Sequence, residues 1–293
     1  NDKLRIEDST FFDNRAIGTA SSRGGAAINA RWIVRSIFLA NTADRGGAVW
    51  SFGPDIEEST FCDNQAPLEG GAVLAFRADV RRSTFCRNNS AGEGGAMKFI
   101  GNPGDARTIE RSTFDANTAP GGGAIAISDG VLRLFQSTLA SVDAPAPGSV
   151  GTLLRHSGPQ DAGNFVQLTG NLLRGTCSFA AGVATVSFAK HNANSGGNTC
   201  GLTQPGAPFT NNVTFAALNG IPLAGLANNG GPTVTRLPSP AAGHPAVGRV
   251  PLADCVDPDQ RYLATTNSSC DAGAVELDGA PRSDALFANG FEG

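Results

Sequence analysis

Six side chains in this sequence could serve as a general base: Lys3, Lys98, Lys190, His156, His191 and His244. Polysaccharide lyases use such a base beside a carboxylate-bound Ca²⁺ or a charge-neutralising arginine. Strand alternation predicts that Lys98 shares an outward face with Trp50, Leu74 and Ala126, without neighbouring acids. His191 falls in a polar turn, and His156 and His244 fall in loops rich in Gly and Pro. We therefore predict no catalytic residue.

Three carboxylates near the end of the chain, Asp254, Asp257 and Asp259, are the best candidates for a Ca²⁺ site. They lack the spacing and the invariant glycine of a known calcium loop. Asp257 precedes Pro258, and ordinary turn chemistry explains this pair better. The sequence also contains no Gly-x-Ser-x-Gly, Walker or dinucleotide fingerprint. We predict neither a metal site nor a cofactor site.

The elements that would position such side chains come from an internal repeat. Residues 59–73 and 83–97 are close copies of each other, 24 residues apart. Phe-x-x-Asn occurs at Phe11/Asn14, Phe38/Asn41, Phe61/Asn64, Phe85/Asn88 and Phe114/Asn117, and Gly-Gly-Ala begins at Gly24, Gly46, Gly70, Gly94 and Gly122. Self-similarity at this period is typical of a solenoid, in which each unit buries its apolar face against its neighbours.

Apolar residues within each repeat recur at a spacing of two, in runs of four to six that Gly and Asn interrupt. This alternation predicts short strands, whereas helical repeats would need i, i+3, i+4 spacing and few glycines. Five residues before each Phe lies an apolar column: Ile6, Ile33, Ile56, Val80, Ile109 and Leu134. The fold class that we predict is all-β, a right-handed parallel β-helix with strands stacked about 4.8 Å apart.

The Asn column has a structural explanation, because Asn tolerates the left-handed backbone region at a corner and stacked amides can hydrogen-bond from coil to coil. The glycine pair likewise permits a tight bend. Three residues before each Phe lies a polar column: Asp8, Arg35, Glu58, Arg82, Arg111 and Gln136. Its alternating charges favour one register and argue against a site for anionic sugars, so we expect a solvated face.

Six cysteines form three local pairs: Cys62/Cys86, Cys177/Cys200 and Cys255/Cys270. Cys62 and Cys86 hold the same place in consecutive coils, and the predicted coil spacing puts their Cα atoms within disulfide range. An even, locally paired count favours an oxidising, extracellular compartment, although buried reduced thiols are the alternative. The sequence alone leaves open whether all three pairs are oxidised.

Composition excludes several partners. Charged residues make up 16% of the 293 residues and the net charge is −4, so no polybasic surface indicates nucleic acid or an anionic membrane. No apolar run approaches the ~18 residues of a membrane span. The first repeat is already in register at Ile6 and Phe11, so we expect that sequence upstream of Asn1 has been removed.

The repeat changes character along the chain. We predict regular coils over residues 1–140, with extra residues leaving as loops at 17–23 and 101–107. A Pro-rich stretch at 141–150 marks a boundary, and 141–225 is expected to hold irregular coils with a disulfide. Residues 226–293 would form a C-terminal cap and tail, because the last coil must cover its exposed strand edges.

The alternation of Gly-Gly-Ala-Val/Ile with Phe-x-x-Asn resembles the repeat of the polymorphic outer-membrane proteins, secreted β-helical passengers associated with adhesion. The segments Leu226–Thr235, Ser239–Ala241, Asp259–Arg261 and Asp271–Glu276 resemble the end of bacterial choice-of-anchor β-helix proteins. Ala242-Gly243, Tyr262 and Val275 depart from that pattern. Residues 285–292 are similar to a short C-terminal tail of secreted proteins from some gammaproteobacteria. Neither family carries a catalytic motif.

The first functional hypothesis is therefore a non-enzymatic secreted or surface-displayed bacterial β-helix that acts in adhesion or extracellular structure. Its expected partners are a glycan or host-surface ligand, or other copies of the chain through open solenoid ends. A polysaccharide lyase with a lateral-groove site is the alternative from another class. A third hypothesis is a carbohydrate-binding rod, with Trp32 and Trp50 as stacking platforms. The sequence identifies no particular ligand, substrate or anchor.

Overall fold

The computed structural model describes residues 4–16, 18, 22–141, 152–159, 163–179, 185–203, 209–217, 220–239 and 243–281. Within these ranges the chain is almost entirely short β-strands, and most of them pair in parallel with the strand one coil away. The predicted parallel β-helix is confirmed. The predictions for Lys3, the 142–150 stretch and the 285–292 tail, and part of that for the loop at 17–23, fall outside the described residues.

Two nine-stranded parallel sheets form two faces of the solenoid. Sheet A consists of β1 (Leu4–Glu7), β5 (Ala30–Val34), β9 (Asp55–Glu57), β13 (Asp79–Arg81), β17 (Ala106–Glu110), β20 (Val131–Phe135), β23 (Phe165–Thr169), β26 (Thr185–Lys190) and β28 (Phe209–Thr210). Sheet B consists of β2 (Thr10–Phe12), β6 (Ile37–Leu39), β10 (Thr60–Cys62), β14 (Thr84–Cys86), β18 (Thr113–Asp115), β21 (Thr138–Ala140), β24 (Leu172–Arg174), β27 (Ala193–Ser195) and β29 (Val213–Phe215).

Two smaller parallel sheets add further faces, sheet C in the first four coils and sheet D in seven coils. Sheet C consists of β3 (Arg15–Ala16), β7 (Thr42–Ala43), β11 (Gln65–Ala66) and β15 (Asn89–Ser90). Sheet D consists of β4 (Ala27–Ile28), β8 (Val49–Ser51), β12 (Val73–Ala75), β16 (Met97–Phe99), β19 (Ile125–Ile127), β22 (Thr152–His156) and β25 (Thr176–Phe179). None of the described helical segments could span a membrane.

The apolar columns predicted from the repeat lie in the interior. The aligned rings of Phe11, Phe38, Phe61, Phe85 and Phe114 stack with centroids 4.6 to 4.9 Å apart. The Ile column is paired in register from Ile6 to Leu134. Each coil therefore buries its apolar residues against identical positions of its neighbours, as a solenoid requires.

The Asn column forms a hydrogen-bonded ladder, as expected. Asn64 donates from its backbone N and its Nδ2 to Asn88 Oδ1, at 3.0 and 2.9 Å, and its Nδ2 also donates to Phe38 O. The backbone prediction was wrong by one residue, because the left-handed φ belongs to the residue before each Asn, as at Asp63 (φ 59°). The Asn that follows has no positive φ, and the next strand begins one residue later, as at Gln65.

The glycine pair meets two separate constraints. Gly70 adopts φ 66°, which favours a residue without a side chain. Gly71 is needed for a different reason, since a Cβ there would lie 2.0 Å from Gly95 O of the next coil. The Gly-Gly repeat thus marks a place where one residue turns the chain and the next packs backbone against backbone.

A second polar ladder, which the sequence analysis missed, follows the corner between sheets A and B. Each backbone N donates to the side-chain oxygen of the next coil, as from Ser59 to Ser83 Oγ at 3.2 Å and from Asn171 to Asn192 Oδ1 at 2.9 Å. Its members are Ser9, Ser36, Ser59, Ser83, Ser112, Ser137, Asn171, Asn192 and Asn212. The ladder continues through the irregular coils because Asn replaces Ser in the same role.

The polar column from Asp8 to Gln136 forms some of the expected ion pairs between coils, but it is not solvated along its whole length. All six residues have positive φ, and Arg35 Nε pairs with Asp8 Oδ1 at 2.7 Å on an exposed surface. The prediction of a solvated face was wrong for Arg111 and Gln136, which are 1% and 0% exposed. A segment from the C-terminal part of the chain covers both.

This segment, the described residues between 226 and 276, is called the strap. Three short antiparallel strand pairs lie within the strap or at its ends: β30 (Leu223–Ala227) with β31 (Thr235–Pro238), β32 (Val250–Pro251) with β34 (Ser269–Cys270), and β33 (Leu263–Ala264) with β35 (Ala280–Pro281). A 3-10 turn spans Leu252–Asp254.

The strap lies along the side of the solenoid, on the outer face of sheet B. Thr84 donates to Val234 O, Thr113 donates to Gln260 Oε1, and Ala274 N donates to Thr138 Oγ1. A small apolar cluster joins the strap to the last coils: Leu172, Ala193, Ile221, Ala246, Val250, Cys270 and Ala272. The described contacts of this region thus run along a lateral face, whereas the sequence led us to expect a cover over the final coil. The predicted domain boundaries remain predictions.

All three predicted cysteine pairs are disulfides, with Cα–Cα distances of 4.6, 4.7 and 6.0 Å. Cys62 and Cys86 are direct partners in sheet B, so this bond joins consecutive coils. Cys255 and Cys270 lie within the strap. The disulfides therefore fix both the stack of coils and the segment that covers its side.

Candidate lateral binding groove

A groove of about 380 Å³ lies between the outer face of sheet A and the strap. Its lining residues are Glu110, Phe135, Gln167, Thr169, Phe188, Ala253, Asp254, Cys255 and Val256. The groove combines two aromatic rings with two carboxylates, an amide and a hydroxyl group. Small-molecule sites in proteins typically combine apolar walls with a few such polar groups.

Beyond Glu110 of β17, which pairs with Phe135, the floor of the groove crosses three consecutive strands of sheet A. Phe135 lies at the end of β20 and pairs with Thr169 of β23, while Gln167 of β23 pairs with Phe188 of β26. Side chains two residues apart in a strand point to the same face, so the coil between the two rings presents Gln167 and Thr169 outward. The floor is therefore aromatic at both ends and polar in the middle.

The opposite wall is the segment 253–256 of the strap. Val256 is held through both backbone groups, because its carbonyl accepts from Arg111 Nε and its N–H donates to Gln136 Oε1. Cys255 is tied to Cys270 by the disulfide. These bonds fix the wall onto the corner between sheets A and B. The groove thus depends on the strap staying in place.

His191 and Asp254 meet at the edge of the groove. His191 Nε2 lies 3.1 Å from Asp254 Oδ2, and the His191 side chain is buried. His191 occupies a left-handed corner position with φ 57°, directly after strand β26, which turns its ring toward the strap. Its Nδ1 has no hydrogen-bond partner within the described part of the chain. The pair joins the solenoid to the strap across a separation of 63 residues.

The charges around the groove are largely engaged. Glu110 accepts from Arg81 Nε at 3.2 Å, and Arg133 Nε donates to Gln167 Oε1 at 3.3 Å. Lys190 Nζ lies 4.9 Å from the centroid of the Phe188 ring, as in a cation–π contact. Carboxylates are the only charged groups among the described residues of the lining itself, and the cations stand at its rim.

Lys98, the first candidate base, is not placed as expected. It is 3% exposed and its ammonium group pairs with Glu93, whose other oxygen lies 2.9 Å from Arg155 Nε. The prediction that Lys98 has no neighbouring acid was therefore wrong, because Glu93 reaches it from the turn before the glycine pair. Ion pairing holds this lysine in a buried network on sheet D, away from the groove.

The other histidines are also buried structural groups. His156 lies at the end of strand β22, not in a loop, and its Nε2 is 2.8 Å from Gly130 O. Burial lowers the pKa of His156 below its usual 6.5. His244 lies in a turn as predicted, with Nε2 2.9 Å from Pro222 O. Both rings are therefore hydrogen-bonded to backbone carbonyl groups of the chain itself.

Neither tryptophan is an open platform. Trp50 is 7% exposed, and the Arg23 guanidinium lies 4.7 Å from its ring centroid. Trp32 is partly exposed on sheet A, with the Arg31 guanidinium 5.7 Å from its ring centroid. The structure places two other aromatic rings, Phe135 and Phe188, along the same groove, and the sequence analysis did not single them out. Their outward position follows from strand alternation, but nothing in the sequence places the strap beside them.

The three aspartates of the strap do not converge. Asp254 faces His191, whereas Asp257 is exposed. Asp259 is fully buried and accepts from Arg261 and from backbone N–H groups such as that of Leu263 at 2.9 Å. No cluster of three or more metal-ligating side chains occurs among the described residues. Asp259 instead organises the strap internally.

Comparisons of the chain with protein-family models, with curated proteins and with solved structures find no match.

Proposed function

We propose that this chain is a secreted or surface-displayed β-helical protein that acts without turnover, in adhesion or extracellular structure, through its lateral surface. The observation that carries the proposal is the groove beside the strap, because it is a concave surface with partly exposed aromatic and polar side chains on a scaffold whose interior is filled. The side chains that could act as bases are mostly engaged: Lys98 by Glu93, His156 by Gly130 O and His244 by Pro222 O.

An extracellular location is supported by the three disulfides. Bonds of this kind persist in oxidising compartments, and they are compatible with secretion. The resemblances to choice-of-anchor β-helix proteins and to polymorphic outer-membrane proteins point to a bacterial cell surface, and they remain part of the proposal. A glycan or host-surface ligand is the expected partner.

A binding screen tests this function directly. The purified, oxidised chain is applied to arrays of glycans and of extracellular host proteins, with the reduced and unfolded chain as the control. We expect saturable binding to at least one class of ligand by the folded chain only. Binding that is equal for the unfolded chain, or absent from both arrays, would contradict a role in adhesion.

Self-association is a second part of the proposal. Strands β28 and β29 are the last strands of sheets A and B and have one parallel neighbour each among the described strands, and unpaired strand edges can recruit another chain. Electron microscopy over a range of concentrations tests it. We expect rods that lengthen with concentration, and isolated rods at high concentration would refute this part alone.

A polysaccharide lyase is the alternative function, and the His191–Asp254 pair at the edge of the groove is the observation in its favour. Incubation with uronate-containing glycans, followed by ultraviolet detection of unsaturated ends, separates the two functions. Product formation that is lost in His191→Gln or Lys98→Met would replace our proposal with an enzymatic one. Absence of product with a folded chain supports binding without turnover.

A further inference from the structure

We propose that the groove between sheet A and the strap is a binding site for a neutral oligosaccharide. This inference rests on the proposed function and specifies the class of ligand. The relationship that it depends on is the arrangement of Phe135, Gln167, Thr169 and Phe188 over three consecutive coils, opposite segment 253–256 of the strap.

Shape and polarity match a short sugar chain. The outer coils of the floor present one ring each, and rings offer an apolar surface to the CH face of a pyranose. Between them lies the Gln167 amide, whose NH₂ group can donate to a sugar hydroxyl while its Oε1 accepts from Arg133 Nε, and the neighbouring Thr169 is only 5% exposed. Because strands are spaced about 4.8 Å apart, the rings lie roughly two strand spacings apart along the solenoid axis. A chain of sugar residues can therefore stack at both ends and hydrogen-bond between them.

The electrostatics favour a neutral ligand. Glu110 and Asp254 contribute carboxylates to the lining, and like charges in a cleft disfavour a uronate. The nearest cations stand at the rim and contact residues of the lining: Arg81 Nε donates to Glu110, Arg133 Nε donates to Gln167 Oε1, and Lys190 Nζ lies 4.9 Å from the Phe188 ring centroid. The two carboxylates remain acceptors for hydroxyl groups. A site built to hold an anionic sugar would instead direct its guanidinium groups at the ligand.

The wall is preorganised, which reduces the cost of binding. Val256 is anchored by Arg111 and Gln136, Cys255 by its disulfide and Asp254 by His191. No segment has to fold before the ligand enters. The site is consequently a feature of the folded, oxidised chain.

Titration calorimetry with defined hexasaccharides tests the inference. The probes are neutral hexamers of β1,4-glucose, α1,4-glucose and β1,4-mannose, with hexagalacturonate as the charged comparison. We expect at least one neutral hexamer to bind and hexagalacturonate to bind at least tenfold more weakly. Phe135→Ala and Phe188→Ala should each lower affinity for the neutral probe about tenfold, the effect of ~1.4 kcal/mol.

Phe52→Ala is the matched control, since Phe52 is an exposed phenylalanine outside the groove. It should leave affinity unchanged, and circular dichroism and thermal unfolding should confirm that all three variants fold. If the folded Phe135→Ala and Phe188→Ala variants bind the neutral probe as tightly as the unsubstituted chain does, the proposed site is wrong. Preference for hexagalacturonate, or no binding of any neutral hexamer, would overturn the ligand class. If the arrays detect a ligand whose binding these variants do not alter, the proposed function survives and this inference fails.

Discussion

The Arg111 guanidinium lies 2.8 Å from the Glu276 carboxylate, although 165 residues of chain separate the two. Their side chains are 1% and 3% exposed, so this ion pair is buried between sheet B and the strap. Arg111 also donates to Val256 O and to Gly273 O at 3.1 Å. One side chain of a solenoid corner thus holds the strap at three points, and the wall of the groove depends on it.

Replacement of Arg111 tests this anchor. Arg111→Met removes the donor to Val256 O, Gly273 O and Glu276, and each buried acceptor left unsatisfied costs about 1–3 kcal/mol. We expect rapid amide hydrogen exchange over residues 250–276 and weaker ligand binding, while the coils stay protected. Arg87→Met is the control, because Arg87 pairs with Asp63 on an exposed surface, where a pair contributes about 0–1 kcal/mol. Unchanged exchange in Arg111→Met would contradict the anchoring role.

Glu276 should make the stability of the strap depend on pH. Burial raises the pKa of this carboxyl from 4.5 to about 7, and this effect outweighs the opposing attraction of Arg111. The folded chain therefore holds a proton that the unfolded chain releases between pH 4.5 and 7, so stability falls as pH rises through this window. Urea unfolding at pH 5 and pH 7.5 measures how the free energy of unfolding changes with pH. The same measurement on Glu276→Gln isolates the contribution of Glu276. An equal change with pH in the wild type and the variant would contradict a raised pKa of Glu276.

The Asn ladder should be most sensitive at its centre. Asn88 is fully buried, accepts from Asn64 N and Nδ2, and donates to Phe61 O and to Asn117 Oδ1. Asn88→Ala leaves several buried polar groups unsatisfied, each with a cost of about 1–3 kcal/mol. Asn14→Ala is the control at the first rung, where the side chain is partly exposed. We expect a much larger loss of unfolding free energy for Asn88→Ala, measured by chemical denaturation.

The disulfide within the strap should control the groove. A double replacement of Cys255 and Cys270 by Ser opens a loop whose closure contributes about 3 kcal/mol in chain-entropy terms. We expect the strap to become sensitive to proteolysis and the affinity for neutral oligosaccharides to fall. Replacement of Cys62 and Cys86 by Ser is the comparison, because that bond joins two coils of sheet B and lies outside the groove lining. Equal affinity for neutral oligosaccharides in both double variants would contradict a dependence of the groove on the strap disulfide.

The sequence determined the architecture of the coils. Phe61 and Phe85 stack, Asn64 and Asn88 share hydrogen bonds, and Cys62 and Cys86 are bonded because each coil contacts only its neighbours. A residue at a fixed place in the repeat therefore meets its own equivalent one coil later. That relationship can be read from spacing alone, without knowledge of the rest of the fold.

The backbone of each corner was only partly predictable. The left-handed position falls on variable residues such as Ala40 and Arg87, and not on the invariant Asn that follows them. The Asn is required for its amide, which satisfies backbone groups of adjacent coils. The recurring Asn therefore marks the corner in the sequence, but the residue with the left-handed φ is the one before it.

Only the tertiary structure placed the strap and, with it, the groove. The contacts of Arg111 with Glu276 and of His191 with Asp254 join segments that share no period and no local pattern. Such contacts depend on shape and on buried charge, which spacing along the chain does not encode. Alternation along the strands determines which side chains face outward from sheet A, and only the tertiary structure decides which of them line the groove beside the strap.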